Sequence, residues 1–70
     1  MKKIKEMIEK MLSMTTEEVK EYGTTIETSD LKDLIGELKG SLRWNDLLSV
    51  EDWKNYDRLS YYMEIELDKR

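Results

Sequence analysis

The chain has 70 residues and a net charge of −4, and it contains neither histidine nor cysteine. Those absences remove the usual near-neutral acid–base group, the thiolate nucleophile, and nitrogen or sulfur metal cages. They also exclude a disulfide-framed secreted module.

A chain this short makes one domain, residues 1–70, and its core supplies no more than roughly 3–5 kcal/mol net. Lacking staples, such a fold is expected to gain stability from self-association or from a partner. Hydrophobic residues make up 39% of the chain, enough for a small core despite 40% charged residues. No apolar run approaches the ~20 residues that span a bilayer. Glu6, Glu9 and Lys10 interrupt the stretch after Met1-Lys2-Lys3 before it could serve as a signal peptide. A soluble, cytoplasmic protein is expected.

Ile4, Met7, Ile8, Met11, Leu12 and Met14 recur every three or four residues, which predicts an amphipathic helix. Thr15-Thr16-Glu17-Glu18 has the form of a capping box. Val19 and Tyr22 nevertheless fall on the same stripe as Ile4 and Met11. One helix broken or bent near Thr15 and one helix continuing to Tyr22 are both compatible with the pattern. Gly23 is expected to end it.

The β-branched run Thr24-Thr25-Ile26-Glu27-Thr28 predicts an extended connector, with Ile26 plugging the core. Ser29 or Asp30 then caps a second helix whose apolar face is Leu31, Leu34, Ile35, Leu38 and Leu42. Gly40 is read as the end of that helix and Gly36 as tolerated within it. The sharper alternative is that the two glycines let another backbone approach. Trp44 to Leu48 forms a linking segment with a short helical turn, and Ser49 with Asp52 marks a new helix start.

In the last segment Trp53, Tyr56, Leu59, Met63 and Leu67 form one stripe, while Tyr61, Tyr62 and Ile65 project from another side. The fold expected is all-α, a small three-helix bundle. The alternation of Tyr61, Met63, Ile65 and Leu67 with Tyr62, Glu64, Glu66 and Asp68 also fits a strand at 60–67, which would make the fold α+β.

The run Tyr22-Gly23-Thr24-Thr25-Ile26-Glu27-Thr28-Ser29-Asp30 resembles a signature of the YqgQ-like family of small bacterial proteins. Leu47-Leu48-Ser49 followed by Glu51-Asp52-Trp53 resembles that family's third-helix start. The resemblance spans residues 19–66, needs a gap of about three residues in the second helix, and excludes the first helix. Ser29 stands where the family has glycine, and Glu27 where it tends to an aromatic. The resemblance implies a three-helix bundle and a role in binding single-stranded nucleic acid, but carries over no site residue.

Function reduces to three classes. Carboxylate pairs such as Glu17/Glu18, Glu51/Asp52 and Glu64/Glu66 could serve glycoside chemistry only in a cleft, which a bundle this small rarely forms. Neither an enzyme nor a cofactor or metal site is expected. Single-stranded nucleic acid could stack on Trp44, Trp53, Tyr56, Tyr61 and Tyr62 near Arg43 and Arg58, but the net negative charge opposes it. The leading expectation is a protein-interaction module, possessing more apolar surface on its last helix than a small core can cover. Its partner-binding residues are Tyr61, Tyr62, Ile65, Glu64, Glu66 and Trp44, and its partner is another protein or a second copy. Size and composition suit a phage or mobile-element inhibitor, anti-CRISPR-like, that binds a host protein. The acids Glu64, Glu66 and Asp68 would then face a basic surface on the target.

Overall fold

The computed structural model describes residues 2–44 and 48–70. Four helices follow one another among them: α1 (Lys2–Leu12), α2 (Thr16–Thr24), α3 (Thr28–Trp44) and α4 (Val50–Asp68). The all-helical expectation holds. The count of three does not, because the first helical stretch is two helices.

The break at Thr15 has a local cause. Ser13 Oγ donates to Lys10 O at 3.0 Å, and Met14 N donates to Met11 O, tightening the end of α1. Thr15 is extended, with φ −72 and ψ 166. Glu18 N donates to Thr15 Oγ1, and Thr15 N donates back to Glu18 Oε1 at 3.0 Å. This reciprocal pair is the capping box, and it starts α2 in a new direction. The break lets the two halves pack on different partners, α1 against α3 and α2 against α4. Between them α3 and α4 lie side by side, so the order of packing is α1, α3, α4, α2.

The core is the set that 3.6-residue periodicity marks. Ile4, Ile8 and Met11 of α1 meet Leu31, Leu34, Ile35 and Leu38 of α3, with Val19, Ile26, Leu59 and Met63 completing it. Ser60 is the buried polar residue among those described, and its hydroxyl donates to Asp57 O.

Several local expectations are corrected. Gly23 does not end α2. It sits inside the helix, buried, without a positive φ. Its role is clearance: a Cβ there would lie 3.1 Å from Met63 Cε, so the glycine lets α4 approach α2. The helix ends instead on threonine hydroxyls, with Thr24 Oγ1 donating to Glu21 O and Thr25 Oγ1 to Tyr22 O. Such back-bonding satisfies terminal carbonyls without a left-handed residue. The extended connector at 24–28 is therefore a short turn, because Thr24 closes α2 and Thr28 opens α3. Ile26 is buried there, as expected.

Neither Ser29 nor Asp30 caps α3, which begins at Thr28 with Leu31 N donating to Glu27 O. Asp30 is free to bond elsewhere, and it accepts from Lys3 Nζ at 2.8 Å. Asp30, by that hydrogen bond and then by its charge, raises the Lys3 pKa above its usual 10.5. A raised lysine pKa gives stability fully present below the unfolded value, about 10.4, and lost as pH climbs through the folded one. The denaturation midpoint of the native chain is thus expected to fall towards that of Lys3→Met above this range. A constant gap between the two in alkaline titration would contradict the coupling.

Gly40 does not end α3 either, since the helix runs on to Trp44. Among the described residues no heavy atom lies within 4 Å of a Cβ placed at Gly36 or Gly40, so no described backbone uses them. Each glycine costs a helix interior about 1 kcal/mol relative to alanine. Gly36→Ala and Gly40→Ala are each expected to raise stability by about that amount in urea denaturation.

Ser49 caps α4, accepting from Asp52 N at 3.1 Å. Asn45, Asp46 and Leu47 of the expected linking turn lie outside the described residues. The strand at 60–67 is overturned, because those residues continue α4 through Asp68. Helix formers outweigh the alternation once α2 and α3 supply packing on two sides. Trp53 falls on the predicted core stripe but is 47% exposed. Residues 50–54 are all exposed, so the first turn of α4 stands clear of the core, and its stripe is buried only from Tyr56 onward.

Candidate functional site

The break at Thr15 positions the site. It lays α2 along α4 and leaves an open groove between their outer edges, about 770 Å³ in volume. From α4 the groove takes Tyr61, Tyr62, Ile65 and Glu66, and from α2 it takes Glu17, Lys20 and Glu21.

Tyr61 is 61% exposed, while Tyr62 is half-buried against the core. Their rings meet edge to face, centroids 5.2 Å apart at 73°. The Lys20 ammonium stands 5.3 Å from the Tyr62 ring centroid, within reach of its π face. Tyr62 thus carries a neighbouring ring and a cation together, fixing its orientation as the floor of the groove. Ile65 is half-buried beside it.

The six residues expected to bind a partner do not form one patch. Tyr61, Tyr62, Ile65 and Glu66 share the groove. Glu64 lies on the other flank of α4, where it forms an ion pair with Lys39 of α3. Trp44 is the last residue of α3, and its side chain lies outside the described residues. Asp68 is exposed at the end of α4.

Glu66 is in the groove wall but already engaged. Its Oε2 accepts from Arg70 Nε at 3.2 Å. The same guanidinium donates to Thr28 Oγ1 at 3.1 Å and to Gly23 O at 3.0 Å. Arg70 therefore clasps the end of α4 to the α2–α3 turn, and Glu66 orients the clasp. The acids left at the groove are Glu17 and Glu21, four residues apart on α2 and exposed. Sequence reasoning did not place them in the site. The capping box gives the signal: it fixes where α2 starts and so which of its acids share an edge.

Among the described residues no group of three or more Asp and Glu is placed to hold a metal ion. No described helix is long and apolar enough to cross a membrane.

No protein-family model matches the sequence, no curated protein matches it, and no solved structure matches it. The reading of function therefore rests on the groove and on the size and charge of the chain.

Proposed function

We propose that the chain is a non-enzymatic protein-interaction module whose contact surface is the α2–α4 groove, acting as an inhibitor of phage or mobile-element type, anti-CRISPR-like, on a host protein. The observation that carries this is the exposed Tyr61 ring, braced edge-on by Tyr62 beside Ile65. A large aromatic left in water on a rigid helix, with a half-covered aliphatic next to it, is the usual make-up of an interface anchor. The inhibitory role rests on the size and acidity of the chain and on a sequence without histidine or cysteine.

The test is affinity capture with identification of the bound protein by mass spectrometry. Tyr61→Ala/Ile65→Ala is expected to keep its helical circular dichroism and to lower affinity for the captured protein by about 2 kcal/mol or more, roughly thirtyfold. Undiminished capture by a folded variant would remove the groove from the account.

The second reading is a YqgQ-like protein that binds single-stranded nucleic acid. Its support is the exposure of Trp53 alongside Tyr61 on α4, two rings on which bases could stack. The basic side is weaker. Arg58 Nη1 donates to Thr16 Oγ1 and is partly buried, and Lys39 is paired with Glu64. Filter binding across a salt series separates the readings: affinity that falls steeply with salt supports this one, and none at low salt ends it.

A further inference from the structure

We propose that the bend at Thr15 is a hinge: when it straightens, α1 leaves its own α3 and packs on the α3 of a second copy. Two chains thereby exchange their first helices. The proposal stands apart from the groove, because α2 stays on α4 throughout.

Two conformations are compatible with residues 2–24. On an unbroken helix Ile4, Ile8, Met11, Val19 and Tyr22 lie within about 80° of one another, with Thr15 in the middle of the stripe. The bend is held by local bonds. Thr15 and Glu18 form the reciprocal pair, while Ser13 Oγ and Met14 N close back on α1. Each joins groups three residues apart, and none involves α3 or α4. An unbroken helix offers the same backbone groups partners four residues away, so opening the hinge exchanges one set of bonds for another.

Opening does cost the α1–α3 contact. In the closed chain Ile4, Ile8 and Met11 are buried against Leu31, Leu34, Ile35 and Leu38. A single helix from Lys2 to Thr24 is about 34 Å long. The longest dimension of the molecule is 32 Å. The straightened α1 therefore projects into water with its apolar face bare. The surface shaped to cover that face is the α3 that another open chain has vacated. The Lys3–Asp30 ion pair re-forms there between copies. Since α1 is the end element of the packing order and rests on α3, it is the helix that opens at least expense to the rest. Exchange of an identical element is a low-cost route to a dimer.

Two substitutions push the hinge in opposite directions. Thr15→Ala removes the capping oxygen and puts the best helix former at the hinge. Thr16→Pro locks the bend. Proline suits the first position of a helix, and Thr15 already has the extended backbone that precedes a proline. Proline also lacks the amide hydrogen needed to run α1 on into α2. It gives up the long 3.4 Å bond from Arg58 to Thr16. Each chain is refolded at low and high concentration, and its mass is read by light scattering. The native chain is expected to yield dimer at high concentration. Thr15→Ala should raise the dimer association constant roughly tenfold or more, and Thr16→Pro should stay monomeric with full helical circular dichroism.

Connectivity is read in a mixture of Lys3→Cys chains and Asp30→Cys chains, refolded together and treated with a bismaleimide. The native sequence has no cysteine, so linked peptides identified by mass spectrometry report the introduced positions. A 3–30 link between chains is expected in the dimer, and none when both chains also carry Thr16→Pro. Dimer absent from both the native chain and Thr15→Ala, or present without the 3–30 link, overturns the proposal. So does a Thr15→Ala chain no more dimeric than Thr16→Pro. None of these results bears on the groove, which is judged by partner capture with Tyr61→Ala/Ile65→Ala.

Discussion

Leu59→Ala should leave the chain unfolded at 25 °C. Leu59 is 0% exposed and sits where α4 meets the rest of the core. Truncating a buried leucine costs about 2–5 kcal/mol, combining lost transfer energy with the cavity left behind. A single core of this size holds roughly 3–5 kcal/mol in total. The loss is therefore comparable to the whole stability, a situation a larger domain does not meet. Circular dichroism of the purified variant should show little helix, and ligand or partner should be needed to recover it. A variant that unfolds cooperatively within about 1 kcal/mol of the native chain would mean that the core is not the one described.

The second large effect is expected at a partly buried charged side chain. Arg70→Ala removes three hydrogen bonds at once, to Glu66, to Thr28 and to the Gly23 carbonyl. Hydrogen bonds to charged groups contribute about 1.5–3 kcal/mol where they are partly shielded, and Arg70 and Glu66 side chains are 23% and 14% exposed. A loss of about 2 kcal/mol is expected by urea denaturation. Arg70→Lys should recover little, because the three acceptors are met by three separate guanidinium nitrogens, which a single ammonium nitrogen cannot replace. The clasp also explains how α4 holds its place on α2 next to a glycine. Gly23 gives Met63 room and turns its carbonyl to Arg70, so one residue serves packing and hydrogen bonding together. An Arg70→Lys variant as stable as the native chain would reduce the clasp to an ordinary surface ion pair.

The apolar skeleton was legible in the sequence because periodicity reports it directly. Ile4, Ile8 and Met11, then Leu31, Leu34, Ile35 and Leu38, are spaced as helix faces and are buried as such. Capping chemistry was legible too, at Thr15 and at Ser49, where a short polar side chain precedes an acid three residues on. Helix ends without such a signal are not legible in the same way. Thr24 and Thr25 look like strand formers, yet their hydroxyls fold back on carbonyls, a choice that depends on the turn they occupy. Asp30 looks like a cap, yet Lys3 is 27 residues away in sequence and takes it. Gly23 resembles a terminator, and only the position of Met63 shows what its missing side chain is for.

The same division runs through the candidate site. Tyr61, Tyr62 and Ile65 stand out within one helix, so spacing alone groups them. The fate of the acids is tertiary. Glu64 and Glu66 differ by two residues, which on a helix places them about 200° apart. One goes to α3 and the other to Arg70. Their replacements, Glu17 and Glu21, come from a helix whose separateness depends on the break at Thr15. Trp53 illustrates the converse, since a stripe read around the helix says nothing of how far along it the core extends.

Photo-crosslinking from position 61 tests the central claim most directly. A photoreactive phenylalanine replaces Tyr61 in one variant and exposed Gly36, on the outer face of α3, in another. The account predicts covalent adducts with the captured partner from position 61 and none from 36. Adducts from position 36 with none from 61, while the partner is still captured, would contradict it.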